Sequence, residues 1–150
     1  WGPDGERIIM NLRLEDGGPL RFVTFRYDGS DLAPLTTRLP GSGHPTLHPD
    51  GHHVLTDAYV HEAVSFGDGT VPIRWVDISS GEEAQVARVP SRPDYAGPQR
   101  ALRVDPHPAW DRSFRYAVFN AYHERTRKVL VADMASVLGS REGEALAEPR

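Results

Sequence analysis

The sequence GHPTLHPDGHHVLTDAY, residues 43–59, decides the fold because related versions of it occur three times in the chain. The third copy is HPAWDRSFRYAVFNAY at residues 107–122, and the first is WGPDGERIIMN at residues 1–11. Aligned position by position, the copies recur with periods of 46 and 63 residues. Periods of this size are typical of proteins built from one repeated supersecondary unit.

Each copy contains a short apolar segment, a tight turn and a second segment of alternating polarity. The turn is Pro-Asp-Gly in the first two copies, where Pro fixes φ, Asp bonds its own backbone and Gly accepts a positive φ. The third copy has Asp111-Arg112-Ser113 in place of this turn. At the end of the second segment, Asn11, Asp57 and Asn120 occupy the same position of the aligned copies. A Pro-Asp-Gly turn alone is common in hairpins, but the shared register favours the blades of a β-propeller.

The sequence therefore predicts an all-β protein, a β-propeller fragment of roughly two and a half to three four-stranded antiparallel blades. The predicted divisions are a partial blade at 1–40, blades at 41–90 and 91–139, and a disordered tail at 140–150. So few blades cannot close a ring, and an open propeller exposes a sheet edge to water. We expect the chain to be the carboxy-terminal part of a longer protein whose remaining blades are its partners.

The strands are expected where apolar residues alternate between turn residues. They are predicted at 6–12, 20–27, 32–37, 45–48, 52–58, 72–78, 83–88 and 129–134. A long loop at 60–71, a connection at 91–100 and one helical turn at 134–138 complete the prediction. Leu47 and Trp110 occupy matching inward positions, and we expect both to be buried between blades.

Composition excludes several classes of function. The 17 basic and 21 acidic residues give a net charge of −4 with no basic run, which argues against nucleic acid as a partner. No apolar stretch approaches the roughly 20 residues of a membrane span. The absence of cysteine excludes disulfides, cysteine-ligated zinc and a thiol nucleophile. We expect a soluble protein and leave open whether it is cytoplasmic or periplasmic.

Polar residues should converge on one face of the propeller, where innermost strands begin and the loops between second and third strands return. We call the residues just before an innermost strand its lead-in segment, and those predicted at this face are His44, Arg103, Asp105 and His107. The residues predicted to bind a ligand there are Arg103 and the loop residues Asp57, Tyr59, His61, Tyr122, His123 and Arg125. The Pro-Asp-Gly turns fall on the opposite face, where we expect His48, His52 and His53 to be solvated.

Two histidines at equivalent repeat positions indicate a site for a divalent metal ion. Asp105 and His107 are two residues apart on an extended segment and should point the same way, toward His44. Imidazole and carboxylate ligands suit divalent ions, and the carboxylate favours manganese, calcium or magnesium. The other interpretation is structural: each His-Pro pair begins a repeat, and its imidazole bonds the neighbouring blade. No catalytic residue is assigned, although His61 and His123 could abstract a proton.

The chain resembles the late blades of oligogalacturonate lyase-type propellers and of the related TolB-like repeats. The resemblance covers most of residues 1–134 and is carried by 43–57, by RVDPHPAW at 103–110, by 120–123 and by 129–133. It implies a seven-bladed ring whose central pore holds a manganese-type ion through histidines and a glutamine. His44 and His107 match channel-facing metal histidines, whereas Asp105 replaces a histidine and Leu102 replaces the glutamine.

The resemblance implies metal-assisted β-elimination on uronic-acid oligosaccharides, with a divalent ion of manganese type or calcium as cofactor. The alternative is a non-catalytic TolB-like propeller that binds a saccharide or a protein on its channel face. An acidic oligosaccharide or a protein is thus the expected partner.

Overall fold

A computed structural model describes residues 1–92 and 103–139. These residues form three antiparallel sheets. The first contains β1 (Arg7–Arg13), β2 (Leu20–Arg26) and β3 (Ala33–Pro34), in that order. The second contains β4 (Thr46–Leu47), β5 (His53–Thr56), β6 (Thr70–Asp77) and β7 (Glu83–Pro90), also in chain order. The third contains β8 (Ala109–Trp110), β9 (Tyr116–His123) and β10 (Thr126–Asp133), and helix α1 (Ala135–Gly139) follows.

The predicted all-β architecture of successive antiparallel sheets is confirmed. Within the described ranges, four strands occur in the second sheet and three in each of the others. β6 begins at Thr70, earlier than predicted, because the Asp68 carboxylate accepts hydrogen bonds from the Thr70 backbone and hydroxyl and closes the preceding turn. Most of the predicted connection at 91–100 and the tail at 140–150 lie outside the described residues.

Aspartates in the turns fix where each second strand begins. The Asp4 carboxylate accepts the N–H groups of Glu6 and Arg7, and Asp50 does the same for His52 and His53. In the third repeat Asp111 takes over, accepting from Ser113, Arg115 and Tyr116.

The hydrogen bonds from Ser113 and Tyr116 hold the pKa of Asp111 down to about 2. The third turn thus keeps the bonding pattern although it has lost the Pro-Asp-Gly sequence.

The second sheet lies between the other two. Side chains on both faces of its strand β6 are therefore buried. Toward the third sheet, the apolar core joins Leu55, Ile73, Trp75 and Val89 to Ala117, Phe119, Ala121 and Met134. Toward the first sheet, the Thr36 hydroxyl donates to the carbonyl of Ile78 at 2.6 Å. Face-to-face stacking of successive sheets is the packing of propeller blades. No helix among residues 1–92 and 103–139 is long and apolar enough to cross a membrane.

The turn side of the sheets differs from the prediction of solvated histidines. The side chains of His48 and His53 are only 17% and 14% exposed. His53 stacks on Trp75 with ring centroids 4.7 Å apart, and His48 meets Trp75 edge-on at 5.3 Å. The Asp50 carboxylate lies 3.0 and 2.7 Å from the Nδ1 atoms of His48 and His53. The prediction was wrong for these two histidines because Trp75 packs against both rings, and Trp110 and Phe114 of the third repeat also pack against His48. His52 is exposed.

Leu47 and Trp110 are partly buried, which is less than the predicted burial between blades. Both belong to strands of two residues, too short to be covered along their length. Trp110 nevertheless packs against the core between the second and third sheets, with its ring centroid 5.5 Å from that of Trp75.

Replacing Trp110 with alanine should lower the free energy of unfolding by about 3 kcal/mol, because the indole fills space between two sheets. Urea denaturation measures this loss. The matched control is Trp1→Ala, since Trp1 occupies the equivalent position of the first repeat but is 73% exposed. The control should change stability by less than about 0.5 kcal/mol. Equal losses in the two variants would contradict the packing role of Trp110.

Candidate metal centre between the second and third sheets

Two His-Pro segments lead into the innermost strands β4 and β8. In the second repeat Gly43 has a left-handed backbone with φ of 68°, and His44 follows it. In the third repeat the left-handed residue is His107 itself, with φ of 48°. A left-handed conformation is uncommon for a residue with a Cβ atom and costs roughly 1–2 kcal/mol. The two lead-in segments are therefore similar in sequence but differ from each other in backbone conformation.

These lead-in segments bring the predicted metal ligands together. The imidazole rings of His44 and His107 stack with centroids 3.6 Å apart and an angle of 16° between their planes. With Asp105 they offer three potential ligand atoms that all lie within 4.8 Å of one another. His44 and Asp105 are partly buried and His107 is exposed. The two histidines that begin the second and third repeats therefore lie in contact with each other.

The donor set fits a divalent ion. Two imidazoles and a carboxylate suit manganese, iron or zinc. The lone pair of an imidazole nitrogen lies in the plane of its ring, and the two stacked planes are nearly parallel, so an ion in line with both nitrogens requires the exposed His107 ring to turn. The Asp105 carboxylate also pairs with Arg103, whose Nε donates to it at 2.8 Å and whose Nη2 donates to its second oxygen. An ion would share this carboxylate with a guanidinium.

Asp57 lies beneath the two histidines and is completely buried. Its carboxylate accepts the backbone N–H of His44 at 2.5 Å and lies 3.0 Å from Nδ1 of the same residue. It also accepts the backbone N–H of His107 at 3.1 Å. One side chain thus joins the second sheet to the lead-in segment of the third. A Nδ1–H donated to Asp57 leaves Nε2 of His44 as the nitrogen with a free lone pair.

Burial, hydrogen bonds and neighbouring charges shift the pKa values of three side chains at the site. Burial lowers the pKa of His44, but the hydrogen bond and charge of Asp57, with the charge of Asp105, raise it above its ordinary value overall. Burial raises the pKa of Asp105, but the hydrogen bond and charge of Arg103 lower it overall and keep the carboxylate ionised. Burial and the charges of Asp57 and nearby acids raise the pKa of the Tyr59 hydroxyl.

Two of the predicted loop residues extend the site. The Tyr59 ring meets His44 edge-on with centroids 5.3 Å apart, and His61 stacks on Tyr59 at 6.1 Å. His107, His44, Tyr59 and His61 consequently form a row of four rings that ends at the exposed His61.

The other predicted ligand-binding residues lie on the β9–β10 hairpin. The Tyr122 hydroxyl accepts a hydrogen bond from Arg127 at 3.4 Å, and His123 lies 3.9 Å from the Glu124 carboxylate. Arg125 is a left-handed turn residue with φ of 61°. This hairpin turns in two residues, whereas residues 57–69 connect β5 to β6, so the third repeat lacks the loop that supplies Tyr59 and His61. Leu102 lies outside the described residues.

Sequence reasoning missed the side chains that support the site. The Asn11 amide donates to the carbonyl of Gly43, and the Ser42 hydroxyl donates to the Glu62 carboxylate. A signal for the first contact was present, because Asn11 aligns with Asp57 and Asn120 and both of these also bond the peptide of a lead-in segment. The repeated position marks the residue that anchors the start of a blade.

Replacing Gly43 with alanine should destabilise the protein, because a Cβ atom there would collide with the backbone and carboxylate of Asp57. Gly51→Ala is the matched control, since Gly51 has φ of 74° but open space around it. Both variants incur the left-handed cost, and Gly43→Ala should lose about 1–3 kcal/mol more through overpacking. Urea unfolding compares them. Equal losses would show that Gly43 does not approach Asp57 closely.

Comparisons with known proteins found solved structures with a similar fold. No family model and no curated protein matches the chain. The structure of TolB from Acinetobacter baumannii superposes with a TM-score of 0.59 at 14% identity, over 89% of this chain and 28% of that one. An oligogalacturonate lyase in complex with manganese superposes with a TM-score of 0.59 at 19% identity, over 89% of this chain and 33% of that one.

The chain thus spans about a third of the length of either structure. Both are β-propeller proteins, and the resemblance predicted from the repeats is confirmed at the level of fold. The chain is a β-propeller fragment similar to TolB and to oligogalacturonate lyase.

Proposed function

We propose that His44, Asp105 and His107 hold a divalent metal ion of manganese type. We further propose that the whole propeller acts on uronic-acid oligosaccharides by β-elimination. The observation that carries the proposal is the convergence of three potential ligand atoms within 4.8 Å, from the lead-in segments of two different repeats. The lyase with a similar fold is described as a complex with manganese, which supports the same class of ion here.

The ion would neutralise a substrate carboxylate and make the adjacent C–H group more acidic. The chain's own residues would bind and orient the sugar. The Arg103 guanidinium, beside Asp105, can pair with the uronate carboxylate, and the Tyr59 hydroxyl can donate a hydrogen bond. In β-elimination a base takes the proton next to the carboxylate, the electron pair forms a C=C bond, and the glycosidic oxygen leaves and takes a proton from water. His61 is the candidate base in this chain, because its exposed imidazole ends the row of rings.

A second candidate is a non-catalytic propeller that binds a protein or a saccharide on the same face. The ion pair between Arg103 and Asp105 favours it, because the guanidinium already neutralises the carboxylate that would bind the ion. The equal TM-score for TolB is compatible with this alternative. In this case Arg103 and the row of rings would form a polar and aromatic contact surface.

Isothermal titration with Mn²⁺ alone tests the metal site. The chain should bind one ion, and His44→Ala or His107→Ala should weaken binding at least about tenfold, because each removes one of three ligands. His52→Ala is the matched control, since His52 is exposed on the turn side, and it should bind Mn²⁺ as tightly as the unchanged chain. A chain that does not bind Mn²⁺ would overturn the proposal.

Absorbance of the unsaturated sugar product distinguishes the two candidate functions. With short oligogalacturonides and Mn²⁺, the complete protein should produce this absorbance, and a chelator should abolish it. Metal binding without product formation would favour the binding propeller.

A further inference from the structure

We infer that Asp57 is the positioning residue of the candidate metal centre. Its carboxylate holds the ring of His44 and the backbone of His107, so that a residue with no exposed atom controls both imidazole ligands. The inference rests on the proposed metal site and adds a residue that acts on the ion only through its ligands.

The repeats themselves show that propeller packing does not require an acid at this position. Asn11 and Asn120 occupy it in the first and third copies, and each donates its amide to a carbonyl of a lead-in segment, that of Gly43 or of Pro106. A carboxylate cannot donate. At Asp57 the bonding is therefore inverted, and the side chain accepts from N–H groups in the lead-in segments of both the second and third repeats. The negative charge needs a reason other than packing.

Burial makes this charge costly. A carboxylate removed from water loses its solvation, and the neighbouring donors must offset this loss. The donors are two backbone N–H groups and Nδ1 of His44. An asparagine could bond the backbone alone at lower cost. The contact that gains specifically from a carboxylate is the one with the imidazole, because a charged acceptor fixes Nδ1–H and leaves Nε2 for a ligand.

The second histidine depends on Asp57 through its backbone. His107 has a strained left-handed conformation, and Pro108, which follows it, restricts its backbone further. The bond from its N–H to Asp57 at 3.1 Å holds this peptide in place. Strain that a neighbouring residue maintains is typical of functional sites. Asp57 therefore sets the separation between His44 and His107, which come from different repeats.

Asp57→Asn tests the inference because asparagine is the residue at both equivalent positions, so the sheets should still fold. Mn²⁺ should bind about 10–100-fold more weakly to this variant, the loss typical of residues that orient metal-ligating histidines. Asp50→Asn is the matched control, since Asp50 also contacts two histidine rings but on the turn side. It should leave the affinity unchanged. An Asp57→Asn variant that binds Mn²⁺ as tightly as the unchanged chain would overturn the inference.

A second readout needs no metal. Nitrogen-15 NMR of the imidazoles, recorded well above the ordinary histidine pKa of about 6.5, should show His44 as the Nδ1–H tautomer. Asp57→Asn should convert it to a mixture of tautomers, and Asp50→Asn should not. A His44 that carries its proton on Nε2 in the unchanged chain overturns the inference even if the variant fails to fold. A chain with the expected tautomers that binds no Mn²⁺ would overturn the proposed function and leave to Asp57 only the orientation of His44.

Discussion

The buried carboxylate of Asp57 is the interaction on which the candidate site depends. It accepts hydrogen bonds from the lead-in segments of two repeats and thereby fixes how the second and third sheets meet beside the stacked histidines. Apolar contacts alone would let the second and third sheets shift relative to each other, because hydrophobic burial is not directional. Directional bonds to a buried charge select one arrangement. The close approach of Gly43 to the same carboxylate leaves no room for a side chain and makes that arrangement tighter still.

The fold could be predicted from the sequence because its signals are local. Alternating polarity and aspartate-containing turns act over a few residues, and the predicted strands 6–12, 20–27 and 83–88 lie close to β1, β2 and β7. Repetition added the order of the sheets. Even the third turn, whose sequence had changed, kept its hydrogen bonds through Asp111. Local chemistry and repeat register together were enough for the architecture.

The candidate site could be predicted only in part, because its geometry depends on contacts between repeats. Equivalent positions placed His44 and His107 in neighbouring lead-in segments, but alignment could not give the left-handed backbone of His107. The same alignment grouped Tyr122 with Tyr59, although a two-residue turn in the third repeat replaces the long loop of the second. The burial of Asp57 also could not be predicted from the sequence, since an aspartate at the end of a strand is usually exposed.

Histidine and aspartate form two clusters on opposite sides of the sheets. A comparison of the two clusters shows why the side that carries the lead-in segments is the better candidate for a functional site. On the turn side, His53 is stacked against the buried Trp75, so its ring serves packing. On the other side, the rings of His44 and His107 stack on each other, and His107 remains exposed. The same residue types thus have different roles because of what covers them. The acid that holds His44 is completely buried, whereas the His44 side chain itself is only partly buried, so its imidazole can still meet a ligand.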